Sequence, residues 1–109
     1  MIPQISVTDL KAKLDSGEDL LLVDVREKDE YAIARIDGAT LLPLSTFVSD
    51  WEANLGDYRD KQVIVHCKMG GRSQKACEFL AGQGFTNVSN VTGGITAWSD
   101  QVDPNVPKY

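Results

Sequence analysis

One cysteine in this chain stands where its thiol can be made reactive: Cys67, in the run His66 to Ser73, which reads HCKMGGRS. It follows the β-branched run Val63, Ile64, Val65 and leads into a helical pattern. A strand would thus deliver it to a turn whose glycines let backbone N–H groups point inward at a helix start. Dipoles so arranged favour the thiolate, which is the nucleophilic form. Each unit of pKa below the value of about 8.5 for a free cysteine contributes about 1.4 kcal/mol of preference for that form. Such a cysteine can take up a group covalently and hand it on. Lys68 and Arg72 are the candidates for binding the oxygens of an anionic donor, Arg72 through a planar fork and Lys68 as a mobile point charge. The N–H groups of Met69, Gly70, Gly71, Arg72 and Ser73 are expected to line a cup that stabilises the anion.

The rest of the chain limits what this cup can serve. With 109 residues, 42% of them hydrophobic, it suits one globular domain over residues 1–109, burying roughly two thirds of its unfolded surface. A net charge of −5 argues against nucleic acid. Against that acidic background the window Lys61 to Cys77 holds Lys61, Lys68, Arg72 and Lys75 with no Asp or Glu, a locally positive site suited to a small anion. Two cysteines without a CxxC pair and a single histidine make neither a zinc site nor a disulfide framework, so no metal or organic cofactor is expected. The N-terminus lacks a basic region followed by an apolar core, and the longest apolar run, Leu20 to Val23, is too short to span a bilayer. A cytoplasmic protein with reduced thiols is the expectation.

Strand and helix signals alternate along the chain. Gln4 to Val7 reads as a strand, Thr8 and Asp9 as a helix start with Leu10 and Leu14 on one face, and Gly17 as its stop. Leu20 to Val25 is continuously apolar up to Asp24, the habit of a parallel strand covered on both faces. Arg26 to Glu30 leaves the sheet, and a short helix is expected over Asp29 to Ala34. Ala39 to Leu44 reads as a strand, with Ser45 capping a helix whose apolar face is Phe47, Val48, Trp51 and Leu55. Lys61 to His66 is the expected central strand, followed by a helix from Ser73 to Gln83 with Ala76, Cys77 and Leu80 on one face. Asn87 to Val91 is the last strand, and Thr92 caps a closing helix from Gly93 to Ser99 that buries Ile95 and Trp98. A polar tail containing Pro104 and Pro107 follows. The pattern implies an α/β fold, an open parallel sheet with helices on both faces, in which ligands bind at the carboxyl ends of strands.

Three segments in order resemble the signatures of the rhodanese superfamily: LLLVDVREKDEY with IDGATLLPL upstream, the loop CKMGGRS, and VTGGITAW near the C-terminus. The segment IARIDGA and the ending AWSDQVDPNVPKY resemble in particular the sulfurtransferase domain at the C-terminus of molybdopterin-synthase adenylyltransferases. The chain thus reads as a free-standing relative or an excised domain. Arg35 stands where many members have histidine or asparagine, a departure in the fold signature that leaves the cysteine loop untouched. The resemblance implies a five-stranded parallel sheet and a sulfurtransferase in which Cys67 carries sulfane sulfur as a persulfide. Thiosulfate is the usual test donor and cyanide the usual test acceptor. It also implies a small thiol or a ubiquitin-like sulfur-carrier protein as acceptor.

The remaining chemistry-bearing residues are read against that expectation. Cys77 reads as core, its other reading being a second thiol that resolves the persulfide. Asp24, Arg26 and Glu30 are expected to form an ion pair bracing the loop from beneath. His66 precedes the nucleophile on a strand, so its side chain should point away from the site. Gly93 and Gly94 read as turn glycines without chemistry. Two other functions compete. One is phosphatase or arsenate reductase activity: the tyrosine-phosphatase signature also joins a cysteine to Arg-Ser through a short loop, but with five intervening residues, whereas only Lys68, Met69, Gly70 and Gly71 intervene here. The shorter cup suits a sulfur atom better than a phosphoryl group. A non-catalytic interaction module is the other rival, and the presence of Cys67 counts against it.

Overall fold

A computed structural model describes residues 1–109. Five strands, β1 (Gln4–Ile5), β2 (Leu21–Asp24), β3 (Thr40–Leu41), β4 (Val63–His66) and β5 (Val88–Val91), form one sheet in the order β1-β5-β4-β2-β3, and every pairing is parallel. The strand that ends at His66 is therefore central, as expected. Side chains alternate across it. Val63, Val65 and then Cys67 enter one core cluster with Phe47, Trp51 and Leu55 of α3 (Phe47–Leu55) and Ala76, Cys77 and Leu80 of α4 (Gly71–Gly82). Ile64 enters the other, with Leu10 of α1 (Val7–Asp15) and Ile95 and Trp98 of α5 (Gly94–Gln101). Both faces of the sheet are thus covered, which is why β2 and β4 read as unbroken apolar runs.

Several boundaries differ from the sequence expectations, for local reasons. Ser6, not Thr8, caps α1: its hydroxyl accepts from the Asp9 N–H at 3.1 Å. The expected strand from Ala39 to Leu44 shrinks to two residues before Pro43 and a 3-10 turn over Leu44–Thr46, and Ser45 caps nothing. Its hydroxyl donates instead to Glu27 Oε1 at 2.6 Å, tying this turn to α2 (Lys28–Ile33). Thr92 likewise gives way to Gly93, which serves as N-cap of α5 at φ 79°. The tail does not trail off. Val106 is buried in the second core cluster, and Ser99 Oγ donates to its carbonyl at 2.7 Å, folding the last residues back toward the sheet end that carries Cys67.

The face assigned to α3 also changes. Phe47, Trp51 and Leu55 are buried, whereas Val48 is 71% exposed. Trp51 is 7% exposed and meets Phe79 and Phe85 edge-on, at 5.7 and 6.1 Å between ring centroids. Val48→Ser should therefore alter unfolding free energy by less than about 0.5 kcal/mol. Trp51→Ala should cost about 3–5 kcal/mol in the same urea titration.

Candidate active site

Cys67 follows the last residue of the central strand, and α4 begins four residues later. Between them the chain turns through Gly70 at φ 114°, a left-handed conformation that a residue with a side chain rarely adopts. The Gly70 N–H then donates to Cys67 Sγ at 3.1 Å, and the Ser73 hydroxyl lies 3.3 Å from the same sulfur. Burial drives the Cys67 thiol up. The Ser73 hydroxyl together with the backbone N–H groups of Ser73, Gly70 and Met69 outweighs that effect, so its pKa lies below the ordinary value and the thiolate is favoured. Of the five N–H groups expected to line the cup, those of Met69, Gly70 and Ser73 act on the sulfur in this way. Cys67 itself is 1% exposed, so almost none of it meets solvent. Met69, by contrast, is exposed at the rim.

The loop is held from behind by a second helix. The N–H groups of Ile95 and Thr96, in the first turn of α5, donate to the carbonyls of Cys67 and Lys68 at 3.0 and 3.1 Å. This approach needs a glycine. A Cβ on Gly94 would stand 2.5 Å from both carbonyl oxygens, so Gly94, read from sequence as a turn residue, sets the distance between α5 and the loop. The buried His66 ring turns from the sulfur and places Nδ1 3.2 Å from the Cys67 carbonyl. A carbonyl only accepts, so this contact is a hydrogen bond in the tautomer with its proton on Nδ1. Nε2 is left without a hydrogen-bond partner, 3.7 Å from Asp24 Oδ2. Burial pushes the His66 pKa down, against the pull of the Asp24 charge. Cys77 is also fully buried, its thiol pushed up to about 12 mainly by desolvation, which is the behaviour of a core residue.

The charged residues divide differently from the expectation of one brace. Asp24 and Arg26, both fully buried, pair with each other: the Arg26 guanidinium donates to both Asp24 oxygens at 2.7–3.1 Å and to the Ala34 carbonyl at 2.6 Å. It meets Glu30 only at the backbone carbonyl, at 3.3 Å. The Glu30 carboxylate goes instead to Arg72, whose fork it takes at 2.6 and 2.9 Å. The window without acids is therefore not an acid-free site: Glu30, 42 residues away in sequence, is folded onto its arginine. Donor binding by the Arg72 fork requires exchange with Glu30.

Two residues that sequence reasoning missed complete the site. Asn90 of β5 places Oδ1 2.5 Å from Ser73 Oγ, where it competes with Cys67 Sγ for the one hydroxyl proton, while its NH₂ group donates to Gln4 Oε1 and the Gly70 carbonyl. The signal was an asparagine, poorly suited to strands, at an inward position. Tyr109 donates its hydroxyl to Glu30 Oε2 at 2.8 Å, accepts from Arg26 at 2.9 Å, and lies 4.6 Å beneath the Lys68 ammonium. No local pattern announces this contact.

Two outcomes follow. Gly94→Ala, forced against two backbone oxygens, should displace α5 from the loop and slow alkylation of Cys67 by iodoacetamide at neutral pH at least tenfold, by loss of thiolate stabilisation. The Glu30 carboxyl is held down at about 2, chiefly by Arg72. Because this pKa is depressed in the folded state, its stabilisation is complete above the ordinary value of 4.5 and is lost as pH falls through about 2. Glu30→Gln should be less stable than the parent at neutral pH in urea unfolding, with the difference closing at the acid end.

Comparison with known proteins agrees with this geometry. The rhodanese-like domain family matches residues 6–101. The "Probable adenylyltransferase/sulfurtransferase MoeZ" of Mycobacterium tuberculosis is 36% identical over 96% of this chain and 26% of its own length. The "Putative sulfurtransferase YtwF" of Bacillus subtilis is 36% identical over 94% of this chain and 96% of its own. The crystal structure of a rhodanese-like domain protein from Staphylococcus aureus superposes with a TM-score of 0.80 at 32% identity, covering 93% of this chain and 95% of that one. Several other curated relatives, from Arabidopsis thaliana and Zea mays among them, are longer as well, and the chain spans roughly a quarter to two fifths of their length. With an all-parallel five-stranded sheet, a cysteine at the end of its central strand and relatives named as sulfurtransferases, the chain belongs to the rhodanese-like domain family.

Proposed function

We propose that this domain moves sulfane sulfur from a small anionic donor, thiosulfate being the simplest, to a thiophilic acceptor through a persulfide on Cys67. The observation that carries this reading is a nearly buried sulfur with its thiolate favoured by the Ser73 hydroxyl and surrounding N–H groups, at the bottom of a cup with four residues between Cys67 and Arg72. In the first half-cycle the Cys67 thiolate attacks the outer sulfur of thiosulfate. A new S–S bond forms, the old one breaks, and sulfite leaves with the electron pair. In the second, the acceptor attacks the outer sulfur of the persulfide and the Cys67 thiolate is the leaving group. The N–H groups of Gly70, Met69 and Ser73 that favour the thiolate also suit the terminal persulfide anion. No step requires a metal or organic cofactor. Lys68, Met69, Gly70, Gly71, Arg72 and Ser73 form the donor site in this reading, and Asp24, Arg26 and Glu30 hold it in place.

The acceptor in this reading is a small thiol or a ubiquitin-like sulfur-carrier protein. Support for the carrier comes from relatives named adenylyltransferase/sulfurtransferase, of which this chain matches about a quarter. A cytoplasmic location is part of the same reading, and no helix is long and apolar enough to cross a membrane. Mass spectrometry after incubation with thiosulfate should show one added sulfur atom on the peptide containing Cys67, removed by cyanide as thiocyanate and absent from Cys67→Ala. Wild-type protein that gains sulfur from neither thiosulfate nor a hydrodisulfide, or that releases phosphate from an aryl phosphate without gaining sulfur, would overturn the reading.

A further inference from the structure

Both cations that the active loop offers to a donor are already engaged. The Arg72 fork is closed by Glu30 in two hydrogen bonds, and the Lys68 ammonium sits over the Tyr109 ring. Tyr109 also touches the other half of the arrangement, since its hydroxyl donates to Glu30 Oε2. The Glu30 carboxylate receives four donors in all: two from Arg72, one from Tyr109 and one from the Glu27 N–H at 3.0 Å. It is fixed as an anion beside the cup. Arg26 cannot offset it, because its charge is already matched by the buried Asp24.

The charges near Cys67 therefore balance, where the sequence predicts an excess of positive charge. A dianion entering beside the thiolate meets Lys68 and an Arg72–Glu30 pair that carries no net charge. At 4 Å and an effective dielectric of about 20, one unopposed charge pair amounts to about 4 kcal/mol, so an unpaired Arg72 would draw in a dianion strongly and the carboxylate that pairs it removes that attraction. A donor of low charge does not need that attraction, since its sulfur can reach Cys67 without displacing Glu30 from Arg72. We propose that Glu30 and Tyr109 are specificity-determining residues that bias Cys67 toward hydrodisulfides of thiols, R–S–SH, and against dianionic donors such as thiosulfate.

This proposal rests on the sulfurtransferase reading and narrows its donor class. In the favoured step the Cys67 thiolate attacks the terminal sulfur of R–S–SH. The donor S–S bond breaks, R–S⁻ leaves with the electron pair, and the product is Cys67–S–SH. One S–S bond is exchanged for another, the single negative charge is conserved, and no external oxidant or reductant is needed. Tyr109 acts through Glu30 and Lys68 and is a positioning residue.

The test compares two donors on each protein: thiosulfate, and the hydrodisulfide of 2-mercaptoethanol, with cyanide as acceptor. The readout is the ratio of the two kcat/KM values, which cancels any loss of folded protein. In Glu30→Gln the ratio should shift toward thiosulfate by at least tenfold, and in Tyr109→Phe, which keeps the ring but removes the hydroxyl, in the same direction by about threefold. A ratio unchanged in Glu30→Gln while Cys67 still gains sulfur would overturn the proposal and leave the sulfurtransferase reading intact. If Cys67 gains sulfur from neither donor in the parent, the sulfurtransferase reading itself fails.

Discussion

The structure is organised around the cost of keeping an anionic sulfur almost out of water. A buried thiol loses its proton only where fixed dipoles replace the lost solvent, and a buried cysteine without them is inert. Here the replacement comes from the turn after β4 and the start of α4, through the Gly70 N–H and Ser73. These donors help only if the turn cannot relax. Its carbonyls are accordingly held by the first turn of α5, and Gly94 allows the two backbones to come this close. The carbonyl of Cys67 receives both the Ile95 N–H and the His66 ring, so the residue carrying the thiol is tethered on the side away from the cup.

A charged network forms the other wall. The buried Asp24–Arg26 pair is saturated with hydrogen bonds, a condition under which losing one partner costs far more than the pair itself contributes. It supplies a fixed platform at the end of β2, against which α2 presents Glu30 and the C-terminal segment presents Tyr109. Arg72 joins the platform only through Glu30. Positive charge at the cup is thus set by residues from four parts of the chain, and the electrostatics belong to the assembly more than to the loop.

Much of this was legible in the sequence. The continuous apolar runs at β2 and β4 report a sheet covered on both faces, and the glycines and cations after Cys67 separate it from an ordinary core cysteine such as Cys77. The parity of His66 and Cys67 on one strand places them on opposite faces, as found. These features survive because they are local: a strand's period of two, a turn's need for glycine and a helix start's affinity for anions depend on neighbours a few residues away.

What the chain alone does not display is long-range pairing. Reading along the window Lys61 to Cys77 gives a positive cup, yet the parallel β2–β4 register and the start of α2 bring Glu30 onto Arg72. Asn90 becomes part of the site because β5 lies beside β4, and Tyr109 because Val106 anchors the tail in the core. Val48 was read onto a buried face because helical spacing defines a stripe without saying how wide the partner surface is. The sequence alone determined the nucleophile, the turn that activates it and the class of fold, since short-range backbone physics specifies them. The charge a donor meets at the cup was decided only in three dimensions, because electrostatic energy depends on distance through space and not on separation along the chain.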